Sequence, residues 1–142
     1  MHFHEYSSLS GTHAILSASK YSWLNYDSEK MAATFRTAQA AALGTRLHEL
    51  AAEHIRLRIR MPRNNATFNR YVNDAIGYCM TPEQVLFYSM NAYGTADAIH
   101  FDDKKNFLRI HDLKTGSGRV KMDQLMICLL YTSDAADELD GV

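Results

Sequence analysis

The chain has 142 residues, of which 46% are hydrophobic and 22% are charged, and its formal net charge is −1. This composition predicts one globular domain with a real core. No apolar run reaches the roughly 18 residues of a membrane span, and the first residues lack the basic start and apolar run of a signal peptide. Cys79 and Cys128 can form neither a disulfide framework nor a cysteine metal cluster by themselves, so we expect a cytoplasmic protein.

The C-terminal end carries a foreign-looking segment. Residues 128–138, CLLYTSDAADE, read as the translation of a sequencing adapter of the transposase type used in library preparation. Residues 128–142 hold four of the 16 acidic residues and none of the 15 basic ones, so residues 1–127 carry a formal charge of +3. We expect one domain over residues 1–127, incomplete at its C-terminus, followed by a non-native tail. The mild positive charge permits a polyanionic partner without requiring one.

Helices are predicted first along the chain. A short helix follows a possible cap at Ser17 or Ser19, and a long one covers residues 32–59, which are rich in good helix formers. Gly44 either starts the main part of that helix or allows a close approach there. Another helix covers residues 67–78, with Thr67 as a possible cap. The apolar stripe of the long helix is predicted to contain Leu43, Leu47, Leu50, Ala51 and Ile55.

Strands follow over residues 85–90, 93–101 and 107–114, which are rich in aromatic and branched residues. The segment DDKKN predicts a hairpin turn centred between Lys104 and Lys105. Residue numbers that face each other across the hairpin then sum to 209, so Asp97 faces Asp112. After this hairpin, residues 119–127 again have a helical pattern.

The predicted hairpin brings two acids together on its core face. Asp97 and Asp112 share this face with Ile99, Phe101, Leu108, Ile110 and Lys114, whereas His100, Arg109 and His111 lie on the other face, which suits solvent or a polar cover. Opposed carboxylates that lose solvent repel each other, so they need compensation. A divalent cation such as Mg²⁺ or Mn²⁺ would supply it, with Lys114 orienting a bound water or stabilising an oxyanion. The alternative is a structural cluster in which Lys114 pairs with both acids.

Four short motifs in order resemble one family. GTRLH supplies Gly44 and His48, GTAD supplies Gly94 and Asp97, DLK supplies Asp112 and Lys114, and MDQLMIC supplies Gln124. This pattern, covering residues 43–127, resembles the PD-(D/E)XK nucleases, and in particular their RecB-like branch with its phage exonucleases. Cys128 stands where the family has tyrosine, at the start of the adapter-like segment. Tyr131 belongs to that segment and is not taken as a substitute.

The resemblance implies a fold, an activity and a set of roles. The fold is α+β with a restriction-endonuclease-like core: N-terminal helices, a three-stranded, mainly antiparallel sheet and a C-terminal helix, truncated before the family's last strand. The activity is Mg²⁺- or Mn²⁺-dependent hydrolysis of DNA, by a phage-type exonuclease of recombination or repair that acts in a bacterial cytoplasm with a recombination partner protein. The implied metal ligands are His48, Asp97, Asp112 and the backbone carbonyl of Leu113. Lys114 would be the catalytic lysine, and Gln124 would position the motif and the DNA strand.

Other interpretations stay open. The chain could be a non-cleaving module that binds nucleic acid or assists assembly, or the acids could form a purely structural ion cluster. His48 could be an ordinary core histidine, and Glu53 could reach the site. The weaker candidates for a role in binding are the N-terminal histidines, the early aromatic residues and the basic run that ends the long helix: His2, His4, His13; Tyr21, Trp23, Tyr26; Arg56, Arg58, Arg60, Arg63.

Overall fold

The structure is a computed structural model that describes residues 1–140, with side chains described for residues 1–132. Packing divides the chain into two units, Met1–Leu43 and Gly44–Val142. Within the described residues there are three α-helices, two 3₁₀-helices and a three-stranded antiparallel sheet. The predicted α+β class and the general order of elements are therefore confirmed.

The N-terminal unit holds the two 3₁₀-helices, Ser7–Leu9 and Ala18–Asn25, and the first part of helix α1. Ser17 occupies the predicted cap position, but its side chain makes no capping hydrogen bond. The indole nitrogen of Trp23 instead donates to the Ser17 carbonyl oxygen over 2.8 Å. Trp23 thus holds its own helix in place through a local bond.

Helix α1 spans Ser28–Leu57, and helix α2 spans Thr67–Gly77. The prediction that Leu43 and Leu50 belong to the buried stripe of α1 is wrong, because their exposed fractions are 58% and 45%. The buried stripe runs instead through Ala51, Ala52 and Ile55. Thr67 is also not a cap: α2 begins at that residue, and Ala66 holds the cap position without a side-chain bond.

The sheet has the order β1-β2-β3, with strands Thr81–Ser89, Ala92–Asp102 and Phe107–His111. The predicted register of the β2–β3 hairpin is confirmed, since Ile99 pairs with Ile110 and Phe101 with Leu108. The β1–β2 ladder omits the pair that Glu83 and Asp97 would form. Glu83 has a φ of 50°, in the left-handed region, so the edge strand is irregular directly beside Asp97.

Two hydrophobic clusters contact the hairpin. The larger one joins α1 and α2 to β2 and to the segment after β3: Ala51, Ile55, Val72, Ala75, Ile76, Met80, Ala98, Leu113. The smaller one contains Leu86, Ala96 and Cys128, with Ile99 and Ile110 packed against it. Ala98 belongs to the larger cluster, whereas Ala96 and Ile99, on either side of it along β2, belong to or contact the smaller one. The predicted division into one core face and one polar face is therefore wrong, and Phe101 is 49% exposed.

Helix α3 spans Asp123–Asp140 and contacts all three strands. It begins four residues later than predicted and continues through the adapter-like residues, of which Cys128 is buried. Tyr131 stacks on Tyr88 of β1 with ring centroids 6.0 Å apart. None of the described helices has the length and apolar character needed to cross a membrane.

Candidate metal centre

Three elements and the segment after β3 contribute the predicted site residues. His48 lies on α1, Asp97 on β2 and Gln124 in the first turn of α3. Asp112, Leu113 and Lys114 follow directly after β3, which ends at His111. The prediction that Asp112 and Lys114 lie within the strand is therefore wrong, although the order of the elements is as predicted.

The side chain of Asp97 explains why the strand ends there. Its Oδ2 accepts a hydrogen bond from the Leu113 backbone N–H over 2.8 Å, which occupies a donor that a longer strand would offer to its neighbour. The same oxygen lies 3.4 Å from Nε2 of His48. Asp97 therefore joins α1 to the segment after β3.

Both ring nitrogens of His48 face carbonyl oxygens. Nδ1 lies 2.8 Å from the oxygen of Gly44, and Nε2 lies 2.8 Å from the oxygen of Leu113. Carbonyl oxygens only accept hydrogen bonds, so this pairing requires a proton on each nitrogen. Burial acts to lower the pKa of His48, but the Gly44 carbonyl and the Asp97 carboxylate outweigh it, and the net pKa is raised above 6.5. This pairing favours the protonated ring, so His48 would have to lose a proton before it could bind a metal ion.

Lys114 is held between two oxygen acceptors. Its Nζ lies 2.7 Å from Oδ2 of Asp112 and donates to Oε1 of Gln124 over 2.7 Å. The Asp112 side chain is only 10% exposed, whereas that of Lys114 is 42% exposed. The ammonium therefore neutralises a nearly buried carboxylate while part of its own side chain reaches solvent.

The two carboxylates influence one another, although the ladder ends at Ala98 and His111, one pair short of the predicted pairing of Asp97 with Asp112. Burial raises the pKa of Asp97, and the charge of Asp112 raises it further, against the opposing effects of the Leu113 amide and His48. Asp112 also contributes to the raised pKa of His48. The two acids and the imidazole thus share one electrostatic environment.

Gly44 brings the loop after β3 close to α1. A β-carbon at this position would stand 3.0 Å from Oγ1 of Thr115, closer than almost all real contacts of that kind. Of the two sequence interpretations of Gly44, the close approach is the one observed, since α1 runs through this residue without a break. The glycine and His48, four residues apart, lie on the same face of the helix.

The donor set suits a hard divalent cation in type. Two carboxylates and a backbone carbonyl are oxygen ligands of the kind that Mg²⁺ and Mn²⁺ prefer, and an imidazole is acceptable to Mn²⁺. In the part of the chain that the structure describes, no three His, Cys, Asp or Glu side chains already stand in a metal-holding arrangement. The donors are paired internally: Lys114 engages Asp112, and His48 engages the Leu113 carbonyl. A cation would have to displace these partners.

Two further residues border the centre and were missed from the sequence. Tyr71 and Glu83 line a small cavity of about 10 Å³ together with His48, Asp97 and Leu113. Burial raises the pKa of Tyr71, and the charges of Asp97, Asp112 and Glu83 raise it further. Glu83 was overlooked because β1 was predicted to begin two residues after it, at Val85. Its position opposite Asp97 could have been read from a correct start of that strand.

The remaining candidates lie elsewhere. Glu53 is 58% exposed and pairs with Arg56, so it does not reach the centre. In the basic run, Arg56 also pairs with Glu83, and Arg58 donates to the Ile76 carbonyl oxygen over 3.4 Å. The three N-terminal histidines are exposed.

No model of a known protein family, no curated protein sequence and no solved structure matches this chain significantly. The candidate centre therefore depends on its own geometry and on the motifs that predicted it.

Proposed function

We propose that this chain is a metal-dependent nuclease that hydrolyses DNA phosphodiester bonds. One observation carries the proposal: the six residues chosen from sequence motifs lie in two groups joined by contacts of 2.7 to 3.4 Å, His48 with Asp97 and Leu113, and Lys114 with Asp112 and Gln124. The two groups adjoin through the consecutive residues 112–114, and the charge of Asp112 acts on Asp97. Within each group, the contacts bring together residues that are distant along the chain.

In the proposed site, Asp97, Asp112, the Leu113 carbonyl and a neutral His48 would hold a Mg²⁺ or Mn²⁺ ion. Such an ion would supply activation of a water and charge compensation for the phosphate. Lys114 places its ammonium where negative charge develops. Gln124 holds Lys114 through the 2.7 Å bond and so keeps the ammonium near Asp112.

The finer parts of the proposal come from the resemblance to PD-(D/E)XK nucleases. They are a restriction-endonuclease-like core, a phage-type exonuclease of recombination or repair, and action in a bacterial cytoplasm beside a recombination partner protein. The helix–sheet–helix order with a three-stranded antiparallel sheet is compatible with that core.

A cleavage assay tests the proposal. Linear double-stranded DNA is incubated with the protein in Mg²⁺, in Mn²⁺ and in EDTA, and the Asp112→Ala and Lys114→Ala variants are compared with Asp103→Ala. Asp103, exposed in the hairpin turn, is the matched control. We expect metal-dependent cleavage that falls by about a hundredfold or more in the two site variants, in line with the loss of an electrostatic stabiliser. Cleavage that survives both substitutions would refute the site.

The second candidate is a module that binds nucleic acid without cleaving it. Internal pairing of the donors favours it, because Lys114 and His48 already compensate the acids in the absence of an ion. So does Cys128 at the position where the resembled family has tyrosine. DNA binding without cleavage, in Mg²⁺ and in Mn²⁺, would select this candidate. Absence of both binding and cleavage would select the purely structural cluster.

A further inference from the structure

A separate cleft lies at the turn end of the β2–β3 hairpin, beside the end of α2. It has a volume of about 580 Å³ and is lined by cationic and aromatic side chains, among them Tyr78, His100, Lys105, Phe107 and Arg109. None of the six site residues of the metal centre lines it. A cleft of this size is ample for a small organic ligand.

Arg109 is the central charge of the cleft. Its guanidinium carbon lies 3.6 Å from the ring centroid of Tyr78 and 5.1 Å from that of Phe107. Among the described residues, no hydrogen bond or ion pair engages this guanidinium. The two rings therefore fix its position while its donors stay available to an anion, and guanidinium donors suit the oxygens of a phosphate.

The surroundings add positive charge. Lys105 lines the same cleft, and the Arg60 guanidinium lies next to Gly77 at its edge, 4.0 Å from where a β-carbon would stand. Asp102 is the acid in the lining, and it is compensated: Lys105 Nζ lies 3.8 Å from its carboxylate. Its other oxygen accepts the backbone N–H of Lys104 over 3.1 Å. The balance of the cleft therefore favours an anionic ligand.

The rings add a second requirement. Tyr78 and Phe107 are 47% and 50% exposed, although aromatic side chains of this size usually bury most of their surface. An exposed ring beside a guanidinium is the arrangement that stacks a nucleic-acid base while a cation holds the attached phosphate. A simple anion would need the charges and not the rings.

We propose that this cleft binds a nucleotide, with the phosphate on Arg109 and the base on Phe107. The nucleotide is either free or one unit of a single-stranded DNA. The inference deepens the proposed function. Only the binding of single-stranded DNA rests on that function, because a free nucleotide would be bound whether or not the chain cleaves DNA.

Cys79 supplies a direct readout, because it lines the cleft and is exposed, whereas Cys128 is buried. The rate at which a small uncharged thiol reagent modifies Cys79 is measured on the full chain in EDTA. The probes are deoxyadenosine monophosphate, deoxyadenosine, inorganic phosphate and a short oligodeoxythymidine. We expect the monophosphate and the oligonucleotide to slow the reaction, each at a lower concentration than phosphate or the nucleoside.

Arg109→Ala should raise the concentration of monophosphate needed for protection by about tenfold or more, because the variant loses a charge-assisted contact with the phosphate. Lys105→Ala is a second variant that preserves packing, since this side chain is 79% exposed, and we expect about a threefold rise for a screened surface charge. Arg70→Ala, an exposed arginine of α2 that does not line the cleft, should change nothing.

Three outcomes would overturn the proposal: no protection by the monophosphate, equal protection of the wild type and both cleft variants, or phosphate that protects as well as the nucleotide. Protection by the monophosphate but not by the oligonucleotide would support the cleft as a free-nucleotide site. EDTA separates this result from the nuclease proposal, because cleavage requires an ion and cleft binding does not. Failure of cleavage with intact protection would therefore count against the nuclease alone.

Discussion

The two ends of the β2–β3 hairpin have opposite chemistry. At the open end, Asp97 and Asp112 meet and are compensated by Lys114 and His48. At the turn end, Arg109 lies over two aromatic rings, and its guanidinium has no acidic partner among the described residues. Along β2, Asp97 and His100 are three residues apart, which corresponds to roughly 10 Å.

Under the two proposals, both ends of one short hairpin would act on a polyanion, each by different chemistry. A phosphate is attracted by unpaired cations but repelled by carboxylates, so the acidic end suits a nucleic acid only when a cation stands between the acids and the phosphate. The basic end needs no such ion. Substitutions at the two ends should therefore have separate effects, and the largest is expected at Asp97.

Asp97→Asn should remove one of the two carboxylates at the acidic end while leaving the basic end intact. We expect DNA cleavage to fall by about a thousandfold, because a metal ligand and its charge are lost together. Protection of Cys79 by deoxyadenosine monophosphate should be unchanged. Measuring both on one preparation tests the separation, and a parallel loss of nucleotide protection would show that the two ends are one site.

Gly44→Val should disturb the acidic end through packing alone. The first added carbon would stand 3.0 Å from Thr115, so the loop after β3 must move away from α1. We expect the free energy of unfolding to fall by about 1–3 kcal/mol, the usual cost of overpacking, as measured by urea denaturation. Thr115→Ala in the same chain should restore part of that loss, and no restoration would mean that the close approach does not limit stability.

Gln124 tests how strictly Lys114 must be held. Gln124→Ala removes the acceptor of the 2.7 Å bond, and we expect cleavage to fall by about tenfold through looser positioning. Gln124→Glu still offers an oxygen acceptor and should retain more activity than the alanine variant. Equal activities of the two variants would argue that Gln124 acts through something other than Lys114.

The smallest expected effect is a pH dependence of the Tm that arises from His48, measured in EDTA. Because its pKa in the folded chain lies above the ordinary 6.5, protonated His48 stabilises the fold at low pH, and this stability is lost as the pH rises through the raised pKa. The Tm of the wild type should therefore fall, relative to the Tm of His48→Gln, as the pH rises above 6.5. A stabilisation by His48 that grows with rising pH would contradict the raised pKa.

The register of the hairpin and the meeting of His48 with Asp97 could both be predicted from the sequence. The DDKKN turn and the alternation of apolar residues were enough to place Ile99 opposite Ile110. The motif spacing likewise placed His48 within reach of Asp97, since both side chains point toward the segment after β3.

The errors arose where tertiary contacts override local pattern. The strand was predicted through Lys114 because its residues suit a strand, but the Asp97 carboxylate takes the Leu113 amide and ends the ladder at His111. Leu43 and Leu50 fit a helical stripe, yet the buried face is the one that starts at Gly44 and continues through Ala51. The left-handed Glu83 beside Asp97 left no local signal in the sequence at all.

Binding of Mn²⁺ tests the central claim most directly, and electron paramagnetic resonance measures it without DNA or catalysis. We predict that the wild-type chain binds Mn²⁺ and that Asp112→Asn raises the dissociation constant by about tenfold or more, while Asp103→Asn in the exposed turn leaves it unchanged. Equal dissociation constants for the wild type and Asp112→Asn, or no binding by the wild type, would contradict a metal centre between Asp97 and Asp112.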